Sequence, residues 1–473
     1  MMVGASTWRI GATRLSGSHP RRGVAMLVVL VVMGLAAMLA AGLLYRMRAE
    51  AEASSARGRG EQAYAAATSG LERAIGVLKA HLDEPDLWLD HPEWFADQLV
   101  LDDGAERWYF TIWAPSEDDD TQIRYGLEDE AGRINLNTAD PDTLLLLPGM
   151  TEERVDALVD YRDADDDPRP LGAEQSYYDH LAMPYTIKNG PLASVEELLL
   201  VRGFDGPLVW GEDVNLSGVL DANEDDGDTT FPPDDGDGQL NRGLRGLLTV
   251  YSYDLNVNRE GRPRVPVTAG AVVLRSAGIP DQAIAYIELL RAEGQPLAQP
   301  ADLLEAEYEL KQNHDGYTAG QIVESGVGPD ELAVIMDNLT AESAPPLAVG
   351  LVNVSSAPAE VLAALPGMDE ELARRAVETR GGLDSETRST IAWLYSEGVL
   401  DADEFKAAAS HLTARSRQYR VRCIGFGVPS GRYRIIEAVV DLTPEGATIR
   451  YLRDITRLGL PMAIDLDRVD VGQ

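Results

Sequence analysis

The feature that most constrains this chain is an uninterrupted apolar run at residues 24–44. The run contains no charged residue and no proline. At the rise of an α-helix it reaches about 30 Å, the thickness of one bilayer core. Arginines precede it, the last being Arg22, whereas the first acidic residue after it is Glu50. The positive-inside rule therefore predicts a single-pass anchor with a cytoplasmic N-terminus and the remaining chain outside.

Gly23 and Val24 occupy the junction between the basic leader and the apolar run. A cleavable signal peptide would have a shorter apolar core and a small-residue cleavage site after it, but here Tyr45 and Arg46 follow. A plain signal anchor is a second interpretation. The third is that a basic leader ending in glycine resembles a type IV prepilin signal, which is cut after the glycine. This resemblance implies a leader at residues 1–23 and cleavage between Gly23 and Val24.

The rest of the chain predicts an α+β fold. From Tyr64 to Leu82 apolar residues recur every three or four positions, as in an amphipathic helix. Residues rich in β-formers lie in 45–134 and again in 413–473, and neither group has enough strands for a stable sheet alone. We expect the long N-terminal (transmembrane) helix to pack on one small antiparallel sheet. The chain between, 135–412, is then a large inserted, mostly α-helical domain.

The predicted insertion contains an internal repeat. Residues 135–150 and 353–368 align without a gap and share an Asn, an Ala and a Pro-Gly-Met end. A degenerate middle copy lies at residues 268–279. Each copy predicts two helices joined by a tight glycine turn. The repeats are expected to cover about 135–203, 264–310 and 350–400.

An arginine follows the turn glycine at the same spacing in all three copies: Arg162, Arg291 and Arg380. The unit resembles the helix-hairpin-helix, whose DNA-binding versions place hairpin amides and basic residues on phosphates. Here acidic residues follow the turns, at Glu152 and Glu370 for example, and the chain has a formal net charge of −37. Because carboxylates repel phosphate, a structural or protein-docking role is favoured and no nucleic acid is expected.

A metal-binding motif lies at residues 213–224, with the pattern D-x-N-x-S-G-x₅-E. Such a loop offers side-chain oxygens, one backbone carbonyl and a final bidentate glutamate, all hard ligands that select Ca²⁺. An acidic surface loop is the alternative interpretation. The predicted ligands are Asp213, Asn215, Ser217, Val219 through its carbonyl, Asp221 and Glu224.

Together these features resemble the minor pseudopilin K family of the type II secretion system (general secretion pathway protein K). The features are the prepilin-like leader, the long helix, the split strand body and the Asn-x-Asn-Thr-Ala repeats. The resemblance implies a pilin-like body in the periplasm and an inner-membrane anchor. It also implies processing by prepilin peptidase, N-methylation of Val24 and partnership with minor pseudopilins I and J. Calcium is in keeping with the family.

The resemblance further implies a structural subunit at the tip of the periplasmic pseudopilus, which initiates assembly and helps export folded proteins. In ordinary pseudopilins the fifth mature residue is Glu, but counting from Val24 it is Val28 here. No arrangement of nucleophile, base and acid stands out, so no enzyme is predicted, although an unrecognised hydrolase stays open. The alternative function is a membrane-tethered helix-hairpin-helix DNA receptor of a type IV pilus or competence-like system.

Overall fold

A computed structural model describes residues 22–116, 119–227, 229–342 and 344–464. The predicted leader lies outside the described residues up to position 21, as do the last residues of the predicted C-terminal segment. The described residues divide into two compact units, one that ends at Glu61 and one that begins at Gln62.

The α-helices are mostly short, apart from the first. In chain order they are α1 (Arg22–His81), α2 (Pro92–Phe95), α3 (Pro141–Leu145), α4 (Glu152–Arg162), α5 (Gln175–Tyr178), α6 (Gly206–Trp210), α7 (Gly243–Leu247), α8 (Ala271–Ser276), α9 (Asp281–Ala292), α10 (Pro329–Asn338), α11 (Ala359–Ala363), α12 (Glu370–Arg380), α13 (Trp393–Ser396) and α14 (Ala402–Ala408). Short 3-10 helices lie at Pro85–Leu87, Glu130–Gly132, Val195–Leu200, Pro300–Leu303, Thr387–Ser389, Ala409–His411 and Thr456–Leu458.

The strands fall into one main sheet and several two-residue or three-residue pairs. In chain order they are β1 (Gln98–Asp102), β2 (Arg107–Pro115), β3 (Ile123–Arg124), β4 (Glu128–Asp129), β5 (Ile134–Asn135), β6 (Leu248–Thr249), β7 (Tyr253–Leu255), β8 (Val265–Pro266), β9 (Glu307–Glu309), β10 (Ile322–Glu324), β11 (Leu339–Thr340), β12 (Leu347–Val349), β13 (Val352–Asn353), β14 (Leu412–Thr413), β15 (Gln418–Val428), β16 (Tyr433–Thr443) and β17 (Gly446–Asp454).

Helix α1 begins at Arg22, just before the apolar run, and continues as the predicted amphipathic helix. By length and composition, the part at Ala25–His81 could cross a membrane, and its most apolar window is not buried in the protein. Further along, Ala67, Leu71 and Leu78 are fully or almost fully buried. The helix is therefore compatible with a single-pass anchor, and one face of its later turns packs in a protein core.

The main sheet joins the two groups of strands that the sequence separates. Its order is β1-β2-β15-β16-β17, with β3 on β2 and β4 on β15, and every pairing is antiparallel. Cys423 lies at its centre, opposite Ile112 on one side and Ile436 on the other, and is buried in the core shared with α1. Burial raises the pKa of this thiol, as expected for a structural cysteine. The predicted fold class is confirmed.

The inserted region consists of three helical units, which we define as residues 134–249, 265–340 and 352–413. Each unit begins and ends with a two-residue strand, and the two strands pair in parallel: β5 with β6, β8 with β11 and β13 with β14. The closing strand is Leu-Thr in every unit. One apolar core runs through all three units. Each unit therefore extends well beyond its predicted helix pair.

The repeat arginines perform the same task in each unit. Arg162, Arg291 and Arg380 donate to backbone carbonyls just before the first helix of the pair, including those of Ala139 at 2.6 Å and Ala269 at 2.9 Å. The turn glycines have positive φ: 71° at Gly149, 81° at Gly278 and 75° at Gly367. The constant spacing between glycine and arginine therefore has a structural reason: the glycine makes the turn, and the arginine bonds back to the start of the helix pair. Assignment of these pairs as helix-hairpin-helix motifs stays a prediction.

A buried cluster of charged side chains joins the first helical unit to the main sheet. Its acids are Glu128, Glu130 and Glu437, and its bases are Arg133, Arg245, Arg420 and Arg422. Every acid contacts at least two arginines, which is the arrangement that buried charges require. The arginines of β15 alternate with the residues that face α1, so they lie on the opposite face of the sheet. The cluster therefore holds the inserted region against that opposite face.

Candidate metal site

The predicted calcium loop follows α6 and folds back against the end of β2. Gly218 has a φ of 71°, and a side chain on it would collide with Pro115. The backbone N–H of Leu220 donates to the carbonyl of Asp120 at 2.7 Å, and the Asp120 side chain accepts from the backbone of Leu240 at 3.0 Å. The loop is therefore a fixed part of the body and is tied to the turn that follows β2.

The first and last acids of the motif are both buried. Asp213 is 5% exposed and Glu224 is 1% exposed. One oxygen of each, Oδ1 of Asp213 and Oε1 of Glu224, has no hydrogen-bond partner among the described residues. A buried carboxylate oxygen without a donor is costly, and a bound cation removes that cost.

The electrostatics of the loop agree with this geometry. Burial, together with the neighbouring carboxylates of Asp213, Asp221 and Glu212, raises the pKa of Glu224 to about 7, although the backbone N–H of Asp221 opposes the shift. Burial also raises the pKa of Asp213, although Arg422 opposes the shift. The acids are thus close enough to repel each other in a region of low dielectric. Their oxygen-only donor set fits a hard divalent cation such as Ca²⁺.

The remaining predicted ligands hydrogen-bond within the loop. The Asn215 amide donates to Asp221 at 2.7 Å, and its oxygen accepts from the Ser217 N–H at 2.8 Å. The Ser217 hydroxyl donates to the carbonyl of Val219 at 3.0 Å. The structure therefore brings all six predicted residues into one connected loop, with the unpartnered oxygens at its two ends.

Two residues of this site were absent from the sequence prediction. Glu212 directly precedes the motif, is buried, and accepts from the backbone N–H of Asn241 at 3.1 Å. Asp120 anchors the loop from a distant part of the chain. Glu212 could have been found from the sequence, because it directly precedes the motif. No sequence pattern links Asp120 to this loop.

The helix N-termini that follow the glycine turns do not favour the binding of nucleic acid. Helix α4 is capped by Thr151 and has Glu152 and Glu153 in its first turn. Helix α12 is capped by Asp369 and has Glu370 and Glu371 in its first turn. The helix N-termini, which would otherwise attract phosphate, are thus already occupied by carboxylates.

A model of a known protein family matches the beginning of the first helical unit. Residues 132–210 match the model of the first domain of "Type II secretion system (T2SS), protein K". Type II secretion system protein K of Pseudomonas aeruginosa is 30% identical over 199 residues, which is 38% of this chain and 57% of that protein. Putative type II secretion system protein K of Escherichia coli K12 is 26% identical over 208 residues, covering 39% of this chain and 59% of that protein.

A solved structure was also compared with the chain. It is a chain of the GspK-GspI-GspJ complex of the type 2 secretion system of enterotoxigenic Escherichia coli, with 12% identity and a TM-score of 0.41. The comparison covers 86% of this chain and 99% of that chain.

Residues 132–210 are therefore similar to a component of the type II secretion system. Over the aligned parts the chain is similar to protein K, in agreement with the resemblance seen in the sequence. The alignments span less than two thirds of the length of either relative.

Proposed function

We propose that this chain is a minor pseudopilin of the type II secretion system. It is a non-catalytic structural subunit at the tip of the periplasmic pseudopilus, where it initiates assembly and helps export folded proteins across the outer membrane. The observation that supports this most directly is the protein K domain at residues 132–210, in a chain whose first helix is an apolar anchor. That anchor lies in the inner membrane, with the body in the periplasm.

The tip position is supported by Val28 in α1. At this place an ordinary pseudopilin has a glutamate that pairs with the N-terminal amine of a neighbouring subunit. A carboxylate without such a partner would cost roughly 2.5–3.5 kcal/mol in the bilayer. A first subunit has no neighbour above it, so an apolar residue is favoured there.

The partners in this proposal are minor pseudopilins I and J, and the test is capture of the full-length, C-terminally tagged chain from detergent-solubilised membranes. We expect mass spectrometry to identify both minor pseudopilins in the captured material. Recovery of nucleic acid without pseudopilins would instead favour the DNA-receptor alternative and contradict the proposal. As a control, an unrelated single-pass membrane protein with the same tag should capture neither.

Prepilin peptidase is expected to cut between Gly23 and Val24, so the mature chain should begin at Val24. N-terminal sequencing of protein extracted from membranes measures this directly. Gly23→Val places a branched side chain at the cleavage position and should leave the leader attached. Gly17→Val, in the same leader, should be processed normally. An intact leader on the wild-type chain, or a cut beyond residue 44, would exclude the pseudopilin proposal.

We also propose that the 213–224 loop binds Ca²⁺ through the six predicted residues, and that the ion stiffens the loop against the end of β2. Glu224→Gln should lose one bound Ca²⁺ per chain, because it replaces a bidentate carboxylate by an amide. Asp225→Asn, an exposed acid just outside the motif, removes the same charge and should retain the ion.

Metal analysis after dialysis and thermal melting with and without chelator both report this loss. A ligand that binds only the folded state at 100 times its dissociation constant contributes about 2.7 kcal/mol. The stabilisation from this loop should therefore vanish in Glu224→Gln. Equal metal content in Glu224→Gln and the wild type would assign the ion elsewhere.

A further inference from the structure

A cleft of about 600 Å³ lies where the inserted region meets the end of α1. One wall is the last turn of α1 and the segment that follows it, within residues 79–89. The other walls lie within residues 258–261, 353–356, 385–389 and 414–417. Because sites for small ligands and short segments usually measure about 300–1,000 Å³, a cleft of this size can hold several residues of a polypeptide.

The lining of this cleft is more basic than acidic, although the chain as a whole has a formal net charge of −37. Apart from His81, its acidic side chains are Asp83, Glu84 and Glu386. Its basic side chains are Lys79, Arg259, Arg388, Arg415 and Arg417. We call it the basic cleft. A concave surface lined by one sign of charge concentrates the electrostatic field, so the cleft attracts anionic groups.

Not all of these basic side chains are neutralised by the protein. Lys79 and Arg417 have no ion-pair partner in the part of the chain that the structure describes. The other three form ion pairs, which are Arg259 with Glu386 at 3.3 Å, Arg388 with Asp86 at 3.2 Å, and Arg415 with Asp337.

Two guanidinium groups of the cleft also lack a hydrogen-bond acceptor. Nε of Arg417 and Nε of Arg388 are buried and have no partner among the described residues. An N–H that neither water nor the protein satisfies is costly. Because a carboxylate can accept from two nitrogens of one guanidinium at once, it is the ligand group that satisfies such an arginine best.

The cleft also has an apolar part. Trp88 and Tyr419 line it, are 3% and 1% exposed, and contact each other edge to face with ring centroids 4.9 Å apart. Leu82 and Leu89 lie beside them in the lining. An inorganic anion has no group that would use this apolar surface, whereas a polypeptide has.

The mouth of the cleft disfavours nucleic acid. Asp83, Glu84 and Asp86 are exposed acids on the segment that forms one wall. A nucleic acid carries phosphates at close and regular intervals, so it could not reach the arginines without approaching these carboxylates. A short acidic segment can place single carboxylates between them.

We propose that the basic cleft binds an acidic, partly apolar polypeptide segment of another protein. Carboxylates of the segment pair with Arg417, Arg388 and Lys79, and its apolar side chains contact Leu82 and Leu89. Since the walls come from the end of α1 and from the inserted region, the bound segment bridges these two parts of the body. This inference does not depend on the proposed function.

The test is isothermal titration calorimetry of the full-length protein, in uncharged detergent, with a synthetic hexapeptide of alternating glutamate and leucine. Arg417→Gln should weaken binding about tenfold, because it removes a charge-assisted hydrogen bond. Arg432→Gln removes the same charge from an exposed position outside the cleft and should bind like the wild type. Arg417→Gln should also melt no lower than the wild type, since its side chain has no ion pair to lose.

Binding of the hexapeptide should decrease as the ionic strength rises, and a hexapeptide with lysine in place of glutamate should not bind. Equal affinities of the wild type and Arg417→Gln, or no binding by the wild type, would overturn the proposal. Tighter binding of inorganic phosphate or of a duplex oligonucleotide than of the hexapeptide would also overturn it. Failure to capture minor pseudopilins would bear on the proposed function alone.

Discussion

Glu437→Gln should destabilise the folded body by about 3–5 kcal/mol, the cost of breaking a buried ion-pair cluster from one side. Glu437 is fully buried, and its two oxygens contact Arg245 at 3.1 Å, Arg422 at 3.1 Å and Arg420 at 3.2 Å. Removing its charge leaves these arginines with too few counter-charges in a region that water cannot reach. Chemical denaturation of the purified protein measures the change.

Glu378→Gln is the matched control. Glu378 pairs with Arg374 on the surface of α12, where the two side chains are 65% and 66% exposed. Exposed pairs contribute about 0–1 kcal/mol. Equal losses of unfolding free energy in the two variants would contradict the prediction that burial makes the Glu437 ion pairs more stabilising than surface pairs.

The same cluster should make the protein sensitive to acid. Burial alone would raise the pKa of Glu437, but Arg420, Arg245 and Arg422 outweigh it and hold this pKa well below the ordinary value of 4.5. A depressed pKa contributes stability that is present above the unfolded value and is lost as the pH falls below it. The wild type should therefore lose stability steeply below about pH 4.5, and Glu437→Gln should lose less over the same range.

Gly425→Ala should be the most damaging small substitution in the sheet, with an expected loss of about 3 kcal/mol or more. Gly425 lies in β15 directly beneath α1. An added Cβ would lie 2.1 Å from the carbonyl oxygen of Ala63 and 2.3 Å from the amide nitrogen of Ala67. Both are backbone atoms and cannot rotate away, so the helix would have to move off the sheet.

Gly76→Ala should have the opposite effect on stability. Gly76 lies on the exposed side of the same helix, and an added Cβ would meet nothing within 4 Å. Because alanine favours the helix over glycine by about 1 kcal/mol, this variant should be slightly stabilised. Thermal melting of the two variants side by side gives the comparison. A tolerated Gly425→Ala would mean that α1 does not lie this close to β15.

Much of the fold was predictable because the signals are local. The apolar run, the amphipathic stripe and the alternation around Cys423 each depend on residues close together in the chain. The turn glycines and the repeat arginines were visible as a constant spacing. The closing Leu-Thr strands were missed because a two-residue strand has no periodicity, although its recurrence in all three units is visible once the units are aligned.

The candidate metal site was predictable in part, for the same reason. The 213–224 motif is a contiguous pattern, so its six residues could be named from the chain alone. The anchoring of the 213–224 loop by Asp120 could not be predicted, because it depends on a contact between distant segments of the chain.

The sequence by itself determined the anchor, the repeats, the strand groups and the 213–224 motif, because periodicity and spacing are properties of neighbouring residues. Only the tertiary structure decided the environment of Arg420 and Arg422. They alternate with Val421 and Cys423, so the strand pattern alone would turn them towards water. Instead the first helical unit covers that face and supplies Arg245, and the 3-10 helix just before the unit supplies Glu130, so Arg420 and Arg422 become part of a buried cluster. Burial depends on what covers a residue, and a strand pattern contains no information about the covering segment.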